Sequence, residues 1–189
     1  MMFSVVVLAM VSLPAVAHPE HAGASPLLAG LSHPFSGLDH LLAMVAIGLW
    51  AASLGGRAAL RVPAAFLFST VAGFGLALAG IVLPAVEPGI AASVLVLGVL
   101  IACAVSLPLG ASMGLAALFG LFHGQAHGTE LVGAALAFGT GFVVATTLLH
   151  SAGIALARIG AGRQRVMLVR GLGSVVVLAG VVLVMGTWA

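Results

Sequence analysis

Six apolar stretches follow one another along the chain, at about 37–55, 63–86, 89–107, 109–128, 131–157 and 167–188. Each is close to the ~20 residues that cross a bilayer as a helix. A run of such stretches admits few folds. In hydrocarbon every backbone polar group must be satisfied within the chain, so each stretch is predicted to be a helix. The whole is then an all-α membrane protein, a polytopic bundle of six transmembrane helices. A soluble core is excluded by the scarcity of charge: of 189 residues 62% are hydrophobic and 5% charged, where soluble domains hold about a quarter. The 26 glycines suit close helix packing in lipid. No repeat or linker divides the chain, so 18–189 reads as one membrane domain.

A shorter apolar segment precedes these stretches and ends in Ala15-Val16-Ala17, a small-x-small cleavage pattern. It predicts a signal peptide over 1–17 and a mature start at His18. No lysine or arginine precedes the apolar part, and the alternative is an uncleaved first helix.

Orientation follows from charge. With the mature N-terminus periplasmic, Arg57, Arg61, Arg158, Arg163, Arg165 and Arg170 all fall at cytoplasmic ends, as the positive-inside rule expects. Glu20, Asp39, Glu87 and Glu130 then fall at outer ends. The six arginines form no basic run with interleaved aromatics, which speaks against nucleic acid as a partner. The chain has no lysine and so no P-loop, which excludes an ATP-binding site of that kind. Cys103 is the sole cysteine, so no intrachain disulfide forms.

Ionisable side chains inside spans are costly and usually functional. Here they fall in two strings. One is His33-Pro34-Phe35-Ser36-Gly37-Leu38-Asp39-His40, at the outer end of the first span. The other is Phe122-His123-Gly124-Gln125-Ala126-His127-Gly128-Thr129-Glu130, at the outer end of the fourth. His123, His127 and Glu130 share one helical stripe. Gly120, Gly124 and Gly128 form a small-residue ribbon beside it, against which a helix carrying Asp39 and His40 is expected to pack. Imidazoles with carboxylates suit Ni²⁺, Co²⁺, Zn²⁺ or Cu²⁺ and not Mg²⁺ or Ca²⁺. Pro34 reads as a helix start, with Asp39 near the positive end of the dipole, where an acid is favoured even without metal. Met44, four after His40, reads as packing.

The two strings resemble the paired signatures of the HupE/UreJ family of hydrogenase and urease accessory permeases. A His, five residues, then Asp-His is met by His33, Asp39 and His40. Phe-His-Gly-x-Ala/Val-x-Gly-x-Glu is met by Phe122, His123, Gly124, Ala126, Gly128 and Glu130. The resemblance covers the whole chain. It implies an inner-membrane permease for Ni²⁺, with those histidines and acids in substrate binding or translocation. His127 stands at an unspecified position of the pattern, so its role rests on the helical stripe. The first string is also similar to that of the nickel/cobalt transporter family, whose spacing is one residue shorter, an analogy in chemistry.

Further residues carry weaker signals. His150, toward the cytoplasmic side, is either an inner relay on the ion path or a histidine satisfied by a neighbouring carbonyl. His18 and His21 read as solvated tail residues. Gly110-Ala111-Ser112-Met113-Gly114 matches the nucleophile string of serine hydrolases, but no strand precedes it.

The expected function is import of Ni²⁺, with Co²⁺ or Zn²⁺ as other cargo, through His33, Asp39, His40, His123, His127 and Glu130. The ion is substrate; no prosthetic group is expected. The rival is an intramembrane zinc hydrolase using the same His/Asp set and a metal-bound water. A metal sensor would need a signalling domain, for which the short cytoplasmic segments leave no room.

Overall fold

The computed structural model describes residues 25–129 and 134–187. The expected signal peptide, His18, His21 and Glu130 lie outside the described residues. Among the described residues the chain forms seven helices and no strand. They are α1 (Pro26–Ser36), α2 (Leu38–Leu54), α3 (Ala58–Leu78), α4 (Val86–Ala102), α5 (Leu109–Thr129), α6 (Ala135–Leu156) and α7 (Gly162–Gly186).

Helices α2 to α7 overlap the six expected stretches with shifted ends: α3, α4 and α7 begin sooner than expected, and α5 runs to Thr129. The chain turns at Gly80, φ 78°, and at Ala104, φ 53°, so α3 and α4 stop sooner than hydropathy alone indicates. Helix α1 departs from expectation. Pro34 does not start a helix but lies inside α1, which begins at Pro26. Ser25 accepts the Leu28 N–H at 3.4 Å, and a proline in the first turn sacrifices no helical bond, so Ser25-Pro26 is the stronger start signal.

Helices α3, α6 and α7 are long and apolar enough to cross a bilayer, and α1 with α2, bent by 82°, make a fourth if taken as one broken span. Helix α4 is apolar but shorter, at 17 residues. Helix α5 has 21 residues and carries His123, Gln125 and His127 in its second half. The outside is oily: Leu60, Phe68, Leu136, Leu178 and Val182 are all exposed. An envelope of that kind belongs in lipid.

Helix α2 is the centre. It is buried without a break from Ala46 to Ala52, including Ile47, Leu49 and Trp50, as a helix apolar on every side must be. The other helices pair through glycine. A Cβ on Gly120 or Gly124 of α5 would overlap the carbonyls of Phe66 and Thr70 on α3. Gly98 of α4 and Gly173 and Gly180 of α7 bring those two backbones together in the same way. Gly30 and Gly141 join α1 to α6, and Gly48 and Gly153 join α2 to α6. The ribbon at Gly120, Gly124 and Gly128 therefore receives α3, not the helix bearing Asp39 and His40 as the sequence led us to expect. Helix α3 offers Gly73 in return, directly on the Leu121 carbonyl, so the two backbones approach from both sides.

The described arginines gather at one end. Leu54, Arg165 and Arg170 line one cavity there, and Leu54, Arg57 and Ser106 another beside it. Arg170 Nε donates to the Ala102 carbonyl at 2.8 Å, closing the end of α4.

Candidate metal centre

At the opposite end the chain turns the corner between α1 and α2. Gly37 is extended, φ −108° and ψ 124°, and the helices on either side diverge. The corner sets His33, in the last turn of α1, beside Asp39 and His40 in the first turn of α2. Asp39 Oδ1 accepts the His40 main-chain N–H at 2.7 Å and the His40 ring Nδ1–H at 2.8 Å. A Cβ on Gly37 would lie 2.7 Å from that carboxylate oxygen and 3.3 Å from the ring nitrogen, so a side chain there would push the Asp39 carboxylate aside.

Helix α5 brings His123 and His127 to the same place, one turn apart on one stripe. The His40 ring lies 4.6 Å from that of His123 and 4.5 Å from that of His127, centre to centre. His33 meets His127 edge to face at 4.6 Å. Four imidazoles thus run in unbroken contact, in the order His33, His127, His40, His123. Apolar rings close the sides, with Phe142 4.1 Å from His127 and Phe138 5.5 Å from His33.

His123 and His127 are 0% and 1% exposed, yet much of their polar capacity is unused. His40 Nε2, His123 Nδ1 and both ring nitrogens of His127 have no hydrogen-bond partner among the described residues. Buried polar atoms are seldom left so, because each costs about 1–3 kcal/mol. Among the described residues, no three His, Cys, Asp or Glu side chains are already arranged to hold one ion in common. The rings stand side by side, not around a point. Glu130 lies outside the described residues, so the structure joins five of the six ligand candidates of the outer end: His33, Asp39, His40, His123 and His127.

His150 sits deeper, on α6, 3% exposed. Its Nδ1–H bonds the Met44 carbonyl at 2.8 Å, the carbonyl-satisfied state, while Nε2 has no partner among the described residues. The Phe66 ring lies between the two levels, 5.4 Å from His123 and 5.2 Å from His150. Met44 is fully buried and its sulfur receives the Thr146 hydroxyl at 3.4 Å, a packing role. Ser112 lies on α5 and turns its hydroxyl to the Leu107 and Pro108 carbonyls, so no nucleophile elbow forms.

Two residues of the site gave no signal in the sequence. Ser93 of α4 is fully buried and lies 3.1 Å from His123 Nε2. Phe66 looks like any other aromatic of an apolar stretch. Neither belongs to a spacing pattern, and only the packing of α3 and α4 against α5 brings them in.

The family model described as HupE / UreJ protein matches residues 6–183. The chain belongs to the HupE/UreJ family. Protein HupE of Rhizobium leguminosarum bv. viciae is 45% identical over 183 residues, 95% of each chain. No solved structure matches. HupE/UreJ proteins are accessory permeases and not enzymes, so the zinc hydrolase reading is not favoured. Family and oily helical exterior together make the chain a multi-pass membrane protein.

Proposed function

We propose that this HupE/UreJ protein carries Ni²⁺, with Co²⁺ as a related cargo, inward across the bacterial inner membrane to supply nickel-enzyme maturation. In this reading helices α2 to α7 span the membrane, the mature N-terminus is periplasmic, and the histidine end faces out. The observation that carries it is the run of four imidazoles, His33, His127, His40 and His123, in which ring nitrogens of His127, His40 and His123 have no hydrogen-bond partner among the described residues. Imidazole nitrogen is the donor that divalent nickel and cobalt prefer over the hard oxygen set of Mg²⁺ or Ca²⁺. Gathering of the arginines at the far end supports the orientation.

The ion enters by exchanging water for imidazole, and the carboxylates of Asp39 and Glu130 offset its charge where hydration is lost. Ligands set side by side suit an ion that gains one as it gives up another, which a permease needs because it must release what it binds.

The test is accumulation of radioactive nickel by cells expressing the chain, beside His40→Ala and Glu130→Ala at equal membrane levels. Loss in both variants supports the reading and its two motifs. Accumulation no greater than in vector controls overturns the transport reading, and accumulation that survives both substitutions removes the site.

A further inference from the structure

The hydrogen-bond partners of three histidines fix which ring nitrogen carries the proton. His40 Nδ1 faces a carboxylate oxygen and His150 Nδ1 faces a carbonyl oxygen, each at 2.8 Å, and neither acceptor has a proton to give. Both rings are therefore Nδ1–H, with a bare Nε2. His123 is the reverse. Ser93 Oγ lies 2.6 Å from the Ile90 carbonyl oxygen, a separation two oxygens hold only with a proton between them. The single hydroxyl proton of Ser93 is thereby committed. Its contact with His123 Nε2 at 3.1 Å can then only be one in which Nε2–H donates to Oγ.

The unprotonated nitrogens are then His40 Nε2, His123 Nδ1 and His150 Nε2. The same three lack a hydrogen-bond partner among the described residues.

We propose that Ser93 is a positioning residue of the metal path: it holds His123 in the Nε2–H form and so presents Nδ1 to the passing ion. Ligating histidines are commonly fixed by a donor or acceptor on the other ring nitrogen, and loss of that partner costs about 10- to 100-fold in metal affinity. Ser93 reaches His123 from α4, a helix that contributes no ligand, through a hydroxyl otherwise spent on its own helix backbone. The role of His123 as a ligand rests on the transport reading above. The tautomer does not.

The experiment compares Ser93→Thr, which keeps the hydroxyl, with Ser93→Val, which has nearly the same shape without it. Nickel uptake kinetics are read at equal membrane levels. The ¹⁵N shifts of histidine-labelled full-length protein report the tautomer, with His123 assigned by its loss in His123→Asn. Expected are an Nε2–H His123 in the parent and Ser93→Thr, and a shift toward Nδ1–H in Ser93→Val. Ser93→Val then raises the apparent KM for Ni²⁺ at least about tenfold with Vmax little changed, and Ser93→Thr restores it. An Nδ1–H His123 in the parent overturns the assignment, as does equal behaviour of the two variants. A parent that takes up no nickel but shows the expected tautomers leaves Ser93 in place and removes the permease reading instead.

Discussion

Asp39 Oδ1 receives two hydrogen bonds from a single neighbour, His40: its main-chain N–H at 2.7 Å and its ring Nδ1–H at 2.8 Å. The carboxylate therefore aims the ring as well as carrying charge. Asp39→Asn keeps an oxygen for both bonds and loses only charge, whereas Asp39→Ala loses both. Apparent affinity for nickel should fall about tenfold in the first and about 100-fold in the second. Uptake kinetics at matched expression check the order, and an asparagine variant as poor as the alanine one would show that charge alone matters.

Acid should slow uptake. A protonated imidazole has no lone pair for a metal, so protons and Ni²⁺ compete for the same ring nitrogens. Uptake at fixed free nickel is expected to fall as the outer medium is acidified. A flat or rising profile, in vesicles with the interior pH held constant, would contradict ligation by these rings.

Two glycines of α5 should respond in opposite ways. A side chain on Gly124 meets the Thr70 carbonyl, whereas Gly114 has nothing within 4 Å. Gly124→Val should destabilise the bundle by about 3 kcal/mol or more, seen as low membrane levels and a lowered Tm in detergent. Gly114→Ala should be neutral or up to about 1 kcal/mol stabilising, since alanine suits a helix better.

Metal bound by the purified protein should exchange freely. No three described side chains are poised around one point, so ions should be removed by a mild chelator with helicity and Tm nearly unchanged. A stoichiometric zinc that resists dialysis would instead revive hydrolytic chemistry.

The sequence disclosed the helices and the two motifs because both are local. Hydropathy marked α2 to α7, and the spacing of His123 and His127 put them on one stripe. Partners were less legible. The ribbon at Gly120 and Gly124 told that some helix approaches closely, but its occupant, α3, depends on where Gly73 falls on a surface 47 residues away from Gly120 in the chain. Helix α1 was hidden for another reason. Pro34 read as the start, whereas the helix begins eight residues sooner at Pro26, behind the cap at Ser25. Ser93 was invisible, as its importance lies in one hydroxyl proton already promised to Ile90.

The backbone-to-backbone glycine contacts join the helices in three groups: α1 and α2 with α6, α3 with α5, and α4 with α7. His33, His40 and His150 ride on the first, His123 and His127 on the second, Ser93 on the third. The imidazoles consequently straddle the joints. A small slide of the α3–α5 pair would part His123 and His127 from His33 and His40, and His123 from Ser93, without opening these glycine seams, so one motion that spares the backbone packing takes the ligand set apart.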